Sequence, residues 1–240
     1  MTRTTPTFVA EYESAWNTSG GSKVVTPTIS PGDTLIIGGM TANDTTNINT
    51  PTDNLGTHLT YNLLQSIVLT DYCVLKLWSA QVAAQSGSFS LTMTPTTGVD
   101  DYGLNCLRFS GVSSIGNSNK ANAEVSSGGQ NLSFTTSAEN SLVVVFAADW
   151  TADPGSPAWR TVNGFQPNTT NGARVTWQSI SAVYAVHGAY YVDTGAAGTN
   201  SYGASTPVDQ KYSIAAVELV GPTVGGGGGG LSVAGFFDGI

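Results

Sequence analysis

YGLNCLRFSG (residues 102–111) and YSIAAVELVG (residues 212–221) are the stretches on which the fold turns. Set side by side, Tyr102 matches Tyr212, Leu104 matches Ile214, Leu107 matches Val217, Phe109 matches Leu219 and Gly111 matches Gly221. Each is a short run of branched and aromatic side chains closed by glycine, as a strand ending in a turn should be. Working outward, GDTLIIGGM (32–40) aligns with ENSLVVVFA (139–147), and LWSA (77–80) with VYAV (183–186). The offsets of 110, 107 and 106 residues keep one order along the chain. The sequence therefore reads as one unit duplicated with loop changes. Each half holds a buried strand after a turn, an aromatic strand, a hairpin and a closing strand.

Strands are expected at 34–40, 60–69, 72–82, 88–93, 103–110, 131–135, 141–148, 173–187, 189–193 and 211–220. The breaks between them carry turn chemistry: Pro31-Gly32-Asp33, Asp153-Pro154-Gly155 and Asn171-Gly172. Many short strands without helical periodicity point to an all-β, antiparallel β-sandwich or jelly roll. The domain is expected over 1–222, with halves at about 30–112 and 137–221. The long polar stretches 41–58 and 151–172 are where such a fold carries a binding surface.

Composition narrows the function classes. Charged residues are only 10% of the 240 and hydrophobic ones 40%, with Thr, Ser, Asn and Gly filling the polar positions. These residues rank low in helix propensity, which strengthens the β reading. The formal net charge is −8, and eight Lys and Arg are scattered singly, so nucleic-acid binding is rejected. No apolar run reaches the length of a membrane span, and the first residues lack a secretory leader.

Catalytic and metal chemistry find little support. Cys73 alternates with Leu75 and Leu77 and points inward. Cys106 shares a face with Leu104 and Arg108, opposite Leu107 and Phe109. Two free thiols are expected. The histidines, His58 and His187, form no HExxH or CxxC-type pattern, so both read as structural and no metal site or cofactor is assigned. No GxSxG elbow is present. Asp100-Asp101, Asp149 and Asp153 read as solvated loop acids rather than a catalytic pair. Trp150 and Trp159 flank the Asp153-Pro154-Gly155 turn, and Tyr190-Tyr191 follow His187. As exposed aromatics these four would stack on sugar rings, with neighbouring Asn and Thr bonding hydroxyls. Trp16, Trp78 and Trp177 read as core residues.

Six glycines, Gly225 to Gly230, precede an apolar decapeptide, LSVAGFFDGI. Glycine has nothing to pack and loses most backbone entropy on ordering, so residues 223–230 read as a flexible linker. Extended, six residues reach roughly 20 Å. Leu231, Val233, Phe236, Phe237 and Ile240 make residues 231–240 a docking peptide for a neighbouring subunit.

GDTLIIGGM, LRFSGVSSIG and SFTTSAENSLVVVFAADW resemble a β-sandwich domain of bacteriophage tail proteins, especially those of phages infecting actinobacteria. The matching positions are Gly32-Asp33-Thr34-Leu35, Phe109-Ser110-Gly111-Val112, and Thr135-Thr136 through Val144. Phe237-Asp238-Gly239 resembles the short "WDG" segments such minor tail proteins carry. The likeness spans roughly residues 20–221, and the second closing strand, Val217 to Gly221, departs from it by lacking "FSG". The resemblance implies a virion structural component, a minor tail or tail-tip protein assembled in the host cytoplasm. Its implied partners are other virion proteins, copies of itself and a host cell-surface glycan, with no cofactor, nucleic acid or membrane insertion. A capsid decoration or head fibre protein, a carbohydrate-binding module and, least favoured, a glycan hydrolase are the alternatives.

Overall fold

The computed structural model describes residues 2–14, 21–41, 47–96, 102–124, 128–149, 158–164, 167, 174–181, 184–206, 208–209 and 211–224; for 174–181 and 184–187 it describes the backbone path alone. The described residues form strands and no helix. In the first half these are β1 (Thr7–Glu13), β2 (Lys23–Val25), β3 (Thr28–Ile29), β4 (Thr34–Thr41), β5 (Thr52–Asp53), β6 (Asn62–Leu69), β7 (Cys73–Gln81), β8 (Gly87–Ser88), β9 (Leu91–Met93) and β10 (Tyr102–Ser110). In the second they are β11 (Ser114–Ala123), β12 (Leu132–Thr135), β13 (Leu142–Asp149), β14 (Ala158–Trp159), β15 (Arg174–Ser181), β16 (Tyr184–Tyr191), β17 (Thr199–Tyr202), β18 (Ala204–Thr206) and β19 (Tyr212–Val220). All pairings are antiparallel. The expected antiparallel, all-β organisation is what the chain adopts. No helix among the described residues is long and apolar enough to cross a membrane.

Two five-stranded sheets dominate, with orders β1-β10-β4-β7-β6 and β11-β19-β13-β16-β15. Matched in chain order, the two sheets place their strands identically: Thr7 opens one edge strand and Ser114 its counterpart, Asn62 and Arg174 the opposite edges. The edge strands β1 and β11 lie outside the spans 30–112 and 137–221. The closing strand β19, which departs from the phage-tail pattern in sequence, sits between β11 and β13 and is buried throughout. The expected strands at 173–187 and 189–193 are instead one hairpin, β15–β16.

Three apolar cores explain the sequence pattern. A central core joins the facing sides of the large sheets, with Ile36, Leu75, Leu77 and Phe109 meeting Val144, Phe146, Val217 and Leu219. The outer face of the first sheet is covered by the small sheet β2-β9-β5 and nearby loops, enclosing Leu35, Ile37, Trp78, Leu91 and Leu104. The outer face of the second is covered by β12-β17 and β14-β18, enclosing Val143, Val145, Phe134, Tyr202 and Ile214. Strand side chains alternate between faces. With both faces covered, β4, β13 and β19 are buried at every position, which is why they read as continuous apolar runs. Cys73 belongs to the central core and Cys106 to the outer one, on opposite faces of the same sheet, and neither forms a disulfide. Gly38 in β4 permits the close approach of the two sheets, since a Cβ there would lie 2.8 Å from the Phe146 ring.

The turns before β4 and β13 are held at corresponding positions by opposite charges. Arg108 of β10 donates from Nε to Asp33 (2.7 Å), from Nη1 to the Thr28 carbonyl (2.8 Å) and from Nη2 to Ser30 Oγ (3.2 Å). Glu218 of β19 accepts instead, from Ser137 N and Oγ, Ala138 N and Asn117 N. The backbone is locked the same way in both halves. Gly32 N donates to Val82 O and Val82 N to Asp33 O, while Asn140 N donates to Gly195 O and Thr194 N to Ser141 O. At the far end, Thr4 N donates to Pro222 O (3.1 Å) and Val224 N to Thr2 O (2.8 Å), so the two ends of the body lie side by side.

Candidate functional site

Alternation along β7 creates the most distinctive surface feature. Cys73, Leu75 and Leu77 face the central core. The same row continues with Ser79 and Gln81, and Ser79 pairs with Asn62 across the β6–β7 ladder. Polar side chains cannot close an apolar seam. Opposite them run Ser113, Ser114 and Ile115, from the segment that joins the halves. A cavity of about 460 Å³ remains between these groups, walled on one side by His58, Leu59 and Thr60.

His58 is held, not merely tethered. The Asp53 side chain has no exposed surface while that of His58 is 70% exposed, and the two meet at 2.8 Å through His58 Nδ1 and Asp53 Oδ1. The same carboxylate accepts from Leu55 N (3.0 Å), Leu59 N (3.0 Å) and the Tyr61 hydroxyl (2.9 Å). Burial acts to raise the Asp53 pKa, but the bonds from His58, Leu59, Tyr61 and Leu55 outweigh it and hold the carboxyl below its ordinary value. Burial and the bond to Asp53 push the Tyr61 phenol upward, so it remains a donor. In the neutral imidazole, an ionised Asp53 keeps the proton on Nδ1 and leaves Nε2 as the acceptor. Loop closure around one carboxylate thus sets the tautomer and direction of an exposed ring.

Two further cavities adjoin this one. A cavity of about 330 Å³ is lined by Thr50, Pro51, Thr52, Asp53 and Tyr61 together with His58 and Leu59. Another, of about 270 Å³, is lined by Gly32, Asp33, Thr34, Val82 and Val112 together with Gln81 and Ala83. An Asp–His pair is also two-thirds of a nucleophile-activating triad. Among the described residues no hydroxyl hydrogen-bonds the His58 ring.

Three of the four aromatics expected as an exposed platform, Trp159, Tyr190 and Tyr191, are interior. Trp159 is 7% exposed and packs in the outer core of the second half. Tyr190 is 3% exposed and stacks on Phe8 at 4.7 Å in the central core, while Tyr191 is fully buried in the outer core. Adjacent tyrosines in a strand point to opposite faces, and here both faces are covered. Asp149, expected as a solvated loop acid, is buried at the end of β13 and accepts from Gln130 Nε2 (2.8 Å). Trp78 is core, as expected. Trp16, Trp150, Asp100, Asp101, Asp153 and the docking residues Leu231, Val233, Phe236, Phe237 and Ile240 lie outside the described residues, as do the side chains of Trp177 and His187.

Sequence reasoning passed over Asp53, His58, Asn62 and Gln81. The signal that could have found the last two is polarity breaking into the apolar row of β7. For His58 it is an acid five residues upstream in a loop, a weak cue without coordinates. No family model matches the sequence, and no curated protein or solved structure matches it.

Proposed function

We propose that this chain is a structural component of a bacteriophage virion, a minor tail or tail-tip protein that assembles as a multimer and contacts the host surface. The observation that carries the reading is the closure of the body. Among the described residues the three cores extend as far as Leu219, and residues 222–224 are bonded against 2–4. Leu231, Val233, Phe236, Phe237 and Ile240 follow this closed body in the chain and are the residues we assign to a neighbouring virion protein or a second copy. The sequence likeness to phage tail domains and the sparsely charged, Thr-rich composition support the same reading. The packing of the two large sheets on each other and beneath the smaller ones also suits a particle component.

The test is a chain ending at Val224, beyond the residues that bond the N-terminal segment. It is expected to melt at the temperature of the full chain and to be missing from purified particles. Full incorporation of the shortened chain would refute the assembly role. Imaging of particles carrying the full chain separates a tail position from a capsid one.

A further inference from the structure

We propose that the seam between the two halves is a groove for an uncharged oligosaccharide, with His58 at its centre. The cavities along it share walls: His58 and Leu59 border both the cavity of about 330 Å³ and that of about 460 Å³, and Gln81 and Ala83 border both the cavity of about 460 Å³ and that of about 270 Å³. A series of linked compartments, each of a size suited to small ligands, fits a chain of linked rings better than one compact molecule.

The lining selects against charge. Among the described residues it contains no Lys or Arg, so a phosphate or carboxylate ligand would meet no permanent cation there. Its two acids are already committed, Asp53 to four donors and Asp33 to Arg108 and Ser30 N. Neither is left to hold a metal ion or a basic peptide. What remains is neutral and hydrogen-bonding: the exposed carboxamides of Asn62 and Gln81 and the oriented Nε2 of His58. Thr34, whose Oγ1 is buried without a hydrogen-bond partner, is among the residues lining the cavity of about 270 Å³. A buried hydroxyl without a bond is costly unless a ligand or water supplies one. Amides and hydroxyls in this mixture complement the vicinal hydroxyls of sugars, each of which both donates and accepts. Pro51, Leu59 and Tyr61 give the cavity of about 330 Å³ an apolar wall for the C–H face of a ring.

The inference extends the host-contact part of the proposed function and rests on it only for its biological role. It is tested on the isolated full chain, so its failure and the failure of particle incorporation are separate results. Calorimetric titration would use neutral probes (malto-, cello-, manno-, galacto- and chito-oligosaccharides) beside an anionic one, oligogalacturonate. At least one neutral series is expected to bind, more tightly as the chain lengthens. His58→Ala and Gln81→Ala should each weaken binding about tenfold without moving the melting temperature. Absence of binding across the neutral probes, preference for the anionic probe, or unchanged binding by both variants would overturn the proposal.

Discussion

The substitution Glu218→Gln keeps the shape of one side chain and removes its charge at a fully buried position in β19. The carboxylate accepts from Ser137 N at 2.9 Å on both oxygens, from Ser137 Oγ at 2.7 Å, from Ala138 N at 3.0 Å and from Asn117 N at 3.1 Å. Gly116, beside the β11 bulge, leaves the space that this carboxylate fills. Burial works to raise its pKa, but the bonds from Ser137, Asn117 and Ala138 prevail and hold it below the ordinary 4.5. Glutamine keeps one acceptor oxygen. If that oxygen stays near Ser137 Oγ and Asn117 N, the new amide group faces the buried Ala138 N–H, donor against donor. One unpaired buried donor costs about 1–3 kcal/mol, and bonds to a neutral acceptor are roughly half as strong as to a charged one, so the loss at pH 7 should be about 2–4 kcal/mol. Urea unfolding should show a lower midpoint at unchanged slope. A depressed pKa contributes stability above the unfolded value of 4.5 that is lost as pH falls through the lower folded value. The gap between wild type and variant should therefore narrow in acid. A loss below about 0.5 kcal/mol at pH 7, or a gap independent of pH, would refute the reasoning.

Three other outcomes follow from the same packing. Gly38→Ala should destabilise by about 1–3 kcal/mol through collision with Phe146, with partial recovery in the Gly38→Ala, Phe146→Leu double variant, as read by thermal melting. Glu11, raised to about 7 chiefly by burial and further by Glu13 against the bond from Asn105, holds its proton more tightly folded than unfolded. Stability should thus decline as pH rises from 4.5 towards 7, and Glu11→Gln should flatten that slope and stabilise the fold at alkaline pH in urea titrations. Cys73 and Cys106 should both be inert to a thiol reagent in the native state and react together on denaturation, since both are buried and burial pushes the Cys106 thiol up.

The charge swap at Arg108 and Glu218 shows what two matching sheets conserve physically. Both side chains leave the strand next to the middle one and reach the turn that precedes it. The turn must be held; the sign of the charge holding it is free to change, provided the turn offers the complementary groups. Asp33 and Ser30 supply them in one half, and the backbone amides of Ser137 and Ala138 in the other. Alignment by residue type hides this correspondence, because an arginine and a glutamate score as unlike.

Local pattern in the chain determined the class of fold and the main strands. Apolar runs such as LIIGGM and LVVVFAA, bounded by Pro-Gly-Asp or Glu-Asn-Ser turns, leave little choice but buried strands. The pattern failed where strands are short or polar. β5, β14 and β18 span two or three residues, too few for a period to appear, and β11 (SIGNSNKANA) carries almost no strand-favouring residues. β11 is extended because β19 offers it an edge, an interaction across about a hundred residues of chain. The candidate site divides the same way. The polar end of the β7 row is written in the sequence, but the groove exists only because the inter-half segment comes to lie opposite it. Alternation assigns each side chain to a face, yet it is silent on what covers that face. Tertiary structure alone buried Trp159, Tyr190 and Tyr191, because both large sheets are covered on both sides, and left His58 exposed with its carboxylate behind it.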